Sequence, residues 1–157
     1  SKGFDMMRLG IVIYGLYPSE EIDKSVVIHP AMKLVSHVTH IKTLTAGCGI
    51  SYGHTYVTDR ETKVATVCAG YADGYPRSMP NGAPTWVEGK IAPLVGATSM
   101  DMLEIDVTDV PEASVGSIVE LWGEHIPVNQ VAKLCGTIGY ELLCALAPRV
   151  NVRVDEE

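Results

Sequence analysis

Ala46-Gly47-Cys48-Gly49-Ile50-Ser51-Tyr52-Gly53-His54-Thr55 closes a long strand-like run and sets three glycines around one tyrosine. Glycine lets backbone approach backbone or ligand closely and reach positive φ. Tyr52, between Ser51 and Gly53, has little bulk beside it, which suits a phenol presented to something outside. Taken alone, the stretch also reads as a turn after a strand with an incidental aromatic, because Gly/Ser clusters are mostly turns.

Upstream, residues 30–44 are dominated by β-branched side chains and read as a strand. Strict alternation puts Val35, His37, Thr39, Ile41 and Thr43 on one face and Leu34, Ser36, Val38, His40 and Lys42 on the other. His37 and His40 then lie on opposite faces and read as ordinary strand histidines. Downstream, residues 62–69 form a second strand running into Gly70-Tyr71-Ala72-Asp73-Gly74-Tyr75-Pro76-Arg77, a loop dense in Gly, Tyr and charge. Such a loop is also what a decorated Gly/Pro turn looks like. Residues 85–87 and 90–95 flank Glu88-Gly89, a two-residue hairpin signal, and Pro93 belongs on an edge or at a bulge. Residues 102–107 and 117–122 add two more strands. Many short strands separated by Gly/Pro turns define a mostly β chain, a small barrel or sandwich.

The two ends differ in character. Val128, Val131 and Leu134 have helical spacing, with Gly136 placed to terminate the helix. Thr137 is placed as N-cap of a second short helix over 138–147, Glu141 favours its dipole, and Pro148 stops it. Residues 149–154 alternate polar and apolar, as a last strand would. At the start, Arg8-Leu9-Gly10-Ile11-Val12-Ile13-Tyr14-Gly15 is an apolar run bounded by glycine; it reads as a short buried strand, a pattern a buried helix shares. The polar stretch 17–24 marks a boundary between structural units.

The totals exclude several classes. The chain has 157 residues, 46% of them hydrophobic, enough for one core. A net charge of −7, from 19 acidic against 12 basic residues, argues against a nucleic-acid surface. No apolar stretch approaches a membrane span, and no stretch of these residues reads as a signal peptide. Cys48, Cys68, Cys135 and Cys144 are scattered without CxxC pairs, as in reduced thiols of a cytoplasmic protein. Histidines and cysteines never fall into metal-ligand spacing, so no metal is expected. The chain begins with Ser1 rather than Met, and is read as a piece of a longer protein.

Four segments now line up in order: Arg8-Leu9-Gly10-Ile11 to Tyr14-Gly15; Ile50-Ser51-Tyr52-Gly53; Gly70-Tyr71-Ala72-Asp73-Gly74; and Thr137-Ile138-Gly139-Tyr140-Glu141. With Met100-Asp101 between the last two, nearly the whole chain resembles the C-terminal part of a bacterial alanine racemase. The resemblance implies a pyridoxal phosphate enzyme that interconverts L- and D-alanine for peptidoglycan synthesis, working as a cytoplasmic homodimer. In that family an N-terminal (β/α)8 barrel carries the cofactor on a lysine, and a mostly β C-terminal domain completes the partner subunit's active site. Residues 1–18 would then be the end of the barrel, its last strand and exit, and 19–157 the β domain. None of Lys2, Lys24, Lys33, Lys42, Lys63, Lys90 and Lys133 sits in the family's lysine motif, so this chain alone is expected to be inactive.

Residue roles follow from the resemblance position by position. Tyr52 matches the catalytic tyrosine, opposite the cofactor lysine across the substrate α-carbon. A free phenol has a pKa of about 10, so such a base needs help from neighbours; the family's histidine–arginine pair for this lies on the barrel. Arg8 matches the arginine on the cofactor's pyridine nitrogen, to which it cannot give up a proton. Gly10 and Ile11 match backbone donors to the cofactor phosphate, and Tyr140 a hydroxyl reaching the same phosphate. Met100 matches a residue whose N–H binds the substrate carboxylate; Tyr71 and Arg77 match channel residues. Two positions depart from the pattern. Ala97 stands near where the family often has Arg, which alters the channel's charge and bears on substrate preference. Gly139 would leave the start of the second helix loose. A serine racemase of the vancomycin-resistance type shares these motifs. A stand-alone β-barrel binding module using the tyrosines for recognition is the reading from another class.

Overall fold

The structure, a computed structural model, describes residues 3, 5–19, 21–22 and 25–154. Its organising strand is β1 (Leu34–Leu44). The other strands of the main sheet are β4 (Thr62–Val67), β5 (Pro84–Val87), β6 (Lys90–Pro93), β7 (Leu103–Asp106) and β8 (Ile118–Trp122). A separate two-stranded hairpin holds β2 (Gly49–Ile50) and β3 (Tyr56–Val57).

The six-stranded sheet runs β6-β5-β8-β1-β4-β7, and every pair is antiparallel. β1 is long enough to pair with β8 over its first half and with β4 over its second. A bridge between Leu94 and Ile105 joins the two outer strands, so the sheet curls into a nearly closed barrel. Its interior is filled by Val38, Ala65, Val67, Val87, Leu94, Leu103, Ile105, Val119 and Leu121, all nearly inaccessible. The β5–β6 turn is Glu88-Gly89, both at positive φ, as two-residue hairpins require. β6 is an edge strand, and Pro93 sits on it opposite Pro84.

At one end of the barrel Trp122 closes β8 and stacks on Tyr75, with centroids 6.1 Å apart. Two short helices follow: α1 (Val128–Leu134) and α2 (Gly139–Cys144). Val128, Val131, Ala132 and Leu142 are buried and join the same core. Gly136, left-handed at φ 71, ends α1 as expected.

Four expectations are corrected. The 8–15 run is not a strand: Gly10–Tyr14 is a 3-10 turn, because Gly10 and Gly15 both take left-handed φ and break any extended run. Nor is it buried throughout, since Ile13 is 66% exposed. The second helix is shorter than 138–147; Ile138, not Thr137, is its N-cap, and the Thr137 hydroxyl donates to the Glu141 carboxylate instead. Residues 149–154 form no strand: Arg149 is tied to Asp73 at 2.7 Å, and Val152 and Val154 stand out in solvent. Finally, a bulge between Val38 and His40 leaves Thr39 unpaired and resets the alternation. His37 and His40 therefore share the outer face, while Ile41 turns to the core.

Candidate functional site

The expected site residues fall into two groups. The first surrounds Tyr52. The β2–β3 hairpin is fastened to the barrel by Ile50 and Tyr56, which pack on Leu44, Val64 and Val95. Buried Thr58 locks its base, donating to the Thr45 carbonyl at 2.7 Å and accepting the Cys48 N–H at 2.9 Å. Above this base the chain is strained. Ser51 has φ 60 and ψ −171, a region that is essentially glycine-only and costs of order 1–3 kcal/mol. His54 is left-handed at φ 46. Between them Tyr52 begins a short 3-10 turn and is 71% exposed.

What holds Ser51 there is the loop 96–101. The Ser51 hydroxyl donates to the Ala97 carbonyl at 2.6 Å. The same loop meets the loop 70–77: the N–H groups of Tyr71 and Ala72 donate to the carbonyls of Ser99 and Met100. A Cβ on Gly70 would lie 2.4 Å from the Met100 carbonyl, so only glycine lets these loops cross. The Met100 carbonyl is thereby engaged, whereas its N–H has no acceptor among the described residues. Asp73 braces the loop 70–77 from behind, accepting the Gly70 N–H and pairing with Arg149. Tyr71 and Arg77 are both exposed.

The second group gathers at the start of α2. A Cβ on Gly10 would lie 2.8 Å from the Tyr140 hydroxyl, so the end of the phenol sits directly against the start of the 3-10 turn. Gly10 and Ile11 begin the turn, and their N–H groups have no partner within it. Arg8 is exposed just ahead of them. Ile11 and Leu16 pack against Gly139, where a Cβ would also lie 2.6 Å from Asn129 Oδ1. Gly139 thus marks a tight contact between the turn, α1 and α2, not a loose helix start. Asn129 completes the joint by donating to the Tyr17 carbonyl at 3.0 Å.

Sequence reasoning missed the supports. Ser51, Thr58, Asp73 and Asn129 act through bonds to residues distant in the chain, which no local pattern reveals. Neighbouring Tyr56 is no rival to Tyr52: burial first, then Asp106 and Asp59, push its hydroxyl up, against a smaller opposing pull from Arg60. Among the described residues no cluster could hold a metal ion, and no helix is long and apolar enough to cross a membrane.

Fold and loops together define a small antiparallel barrel domain that carries exposed tyrosines on braced loops. Residues 31–154 match the family described as alanine racemase, C-terminal domain. The alanine racemase of Paraburkholderia phytofirmans is 47% identical over 154 residues, covering 97% of this chain and 43% of that protein. The biosynthetic alanine racemase of Pseudomonas aeruginosa superposes with a TM-score of 0.89 at 42% identity, covering 94% of this chain and 41% of that one. The alanine racemase of Bartonella henselae, solved with covalently bound pyridoxal phosphate, gives 0.79 at 32% identity, with 89% and 39% covered. The chain belongs to the family of alanine racemase C-terminal domains. It spans about two fifths of the length of these relatives.

Proposed function

We propose that this chain works within a cytoplasmic, homodimeric alanine racemase that uses pyridoxal phosphate and makes D-alanine for peptidoglycan. In that reading residues 1–18 close the N-terminal barrel and 19–157 form the β domain that offers Tyr52 to the partner subunit. The observation that carries it is the strained Ser51 beside an exposed phenol. Strain next to a side chain with no packing role is characteristic of functional sites.

The second group fits the cofactor. The Tyr140 hydroxyl lying against Gly10, together with the Gly10 and Ile11 N–H groups at the start of the turn, offers the donors a phosphate needs. Arg8 would lie against the ring nitrogen and, being always protonated, would donate to it. Bound pyridoxal phosphate supplies the electron withdrawal that acidifies the substrate α-hydrogen. Tyr52 then takes or returns that proton at its phenolic oxygen on one face. The Met100 N–H receives the substrate carboxylate, and Tyr71 and Arg77 line the approach. Racemisation needs a second acid–base group on the opposite face, which the family's barrel lysine provides.

Tyr52→Ala in the full-length enzyme tests this. Conversion between enantiomers should fall by ~10²–10⁴-fold, the scale for losing a general acid–base group. Exchange of the α-hydrogen with D2O, followed by NMR, should persist for D-alanine and nearly vanish for L-alanine. Equal loss for both enantiomers would count against Tyr52 as a one-sided base.

A further inference from the structure

Tyr52 is exposed, so packing does not fix its ring. Its position is set by the backbone of residues 51–55, which contains left-handed Ser51, Gly53 and His54 and is held in an unfavourable shape. The entry to this turn is tied by the Ser51 hydroxyl to the Ala97 carbonyl. The exit is tied by a residue from elsewhere in the chain. Asn81 Nδ2 donates to the Thr55 carbonyl at 2.8 Å, while Asn81 Oδ1 accepts the Gly96 N–H at 2.6 Å. One amide therefore fastens the exit of the Tyr52 turn to the residue next to the one that fastens its entry.

Asn81 is itself well placed to act as a fixed point. The flanking residues join the end of β6, with the Gly82 N–H on the Leu94 carbonyl and the Leu94 N–H on the Ala83 carbonyl, both at 2.8 Å. The role requires a short side chain with an acceptor and a donor on one planar group, and an Asp would keep only the acceptor. Asn81 and Thr55 are both exposed, so water can satisfy the Thr55 carbonyl when Asn81 is removed. Its loss should let the strained turn relax without opening the core.

We propose that Asn81 is a positioning residue: it clamps the turn bearing Tyr52 to the loop 96–101 and so sets the phenol against the Met100 N–H. This rests on the reading of Tyr52 as an acid–base group serving one face of the substrate. The test uses the full-length enzyme as wild type, Asn81→Ala, Asn81→Asp and, as reference, Tyr52→Phe. Each is given L- and D-alanine separately in D2O, and α-deuterium incorporation is followed by NMR alongside thermal unfolding. Tyr52→Phe identifies the enantiomer whose exchange depends on the phenol. Asn81→Ala should slow exchange of that same enantiomer by roughly 10- to 100-fold, the scale of a misplacement near 1 Å, and leave the other unchanged. The melting midpoint should move by only a few degrees. Asn81→Asp, which keeps the bond from Gly96 and loses the one to Thr55, should show the same selectivity and carries the comparison if the alanine variant does not fold. A selective Tyr52→Phe beside Asn81 variants that slow both enantiomers equally, or neither, overturns the clamp alone. An unselective Tyr52→Phe overturns the reading of Tyr52 and the clamp with it.

Discussion

Two phenols in this domain are held by opposite means. Tyr52 stands free on a turn whose backbone is strained and tied down at both ends. Tyr140 sits at the start of a helix, and its hydroxyl fills the position next to a missing side chain at Gly10. The first arrangement fixes a direction and leaves the ring open to a neighbour. The second sets the hydroxyl against the start of a turn. Tyr140→Phe should leave the fold intact but weaken retention of pyridoxal phosphate in the full-length enzyme by about 1.5–3 kcal/mol, the worth of a hydrogen bond to a charged group. Equilibrium dialysis with absorbance detection reads the change, and unaltered retention would remove Tyr140 from the phosphate site. Tyr52 stood out in the sequence through the glycines around it, and Tyr140 only through the family resemblance. Ser51 did not, because nothing in a Ser-Tyr-Gly triplet announces that the serine, rather than the glycine, takes the least accessible backbone region.

At the scale of elements, strands with clear alternation and hairpins with the right turn residues were legible, as β5 and β6 around Glu88-Gly89 show. Misreadings arose where tertiary contacts decide. The bulge in β1 lies in its pairing with β4, a long-range fact that turned His40 outward. The alternating residues 149–154 had a strand's pattern, but the Arg149 side chain is drawn to Asp73. Electrostatics differ between elements too. On β8, burial pushes the Glu120 carboxyl up, but the His125 side chain and the N–H groups of Ile126 and His125 outweigh it and hold it below the usual range. A depressed carboxyl stabilises the fold above its unfolded pKa, and that contribution is lost as pH falls through the folded value. Glu104 on β7 acts in the opposite sense: burial raises it, against the Thr66 hydroxyl, Lys42 and His40, so protonation favours the fold as pH falls. Glu120→Gln should cost about 1–3 kcal/mol near neutral pH and much less in acid, because each N–H then faces a neutral acceptor. Denaturant unfolding at several pH values checks this; a cost independent of pH would mean that shape, not charge, holds the His125 loop.

Across the whole molecule, the Tyr52 group and the Tyr140 group are carried by different parts of the domain, the hairpin on the barrel and the start of α2. The proposed dimer would have each domain contribute to two active sites through these two parts. In the proposed reading the chain brings an acid–base phenol and phosphate donors but no lysine in the family's motif. Supplied by itself with pyridoxal phosphate, it should not interconvert L- and D-alanine in a chiral assay, and measurable conversion would show that the second face is served from within these residues. The barrel's strand order has a further consequence, for synthesis. β8 lies between β5 and β1, yet it is made last of the eight strands. Until it arrives, the edges of Trp86-Val87 and of Leu34–His37 that it will cover have no partner. Residues 45–117 take roughly 4–15 s to emerge at about 5–20 residues per second. For that interval β1 offers an unpaired edge at Leu34–His37 to any passing strand. The nascent domain is therefore most vulnerable to mispairing just before Ile118–Trp122 leaves the ribosome, and the arrival of those five residues seals two edges at once.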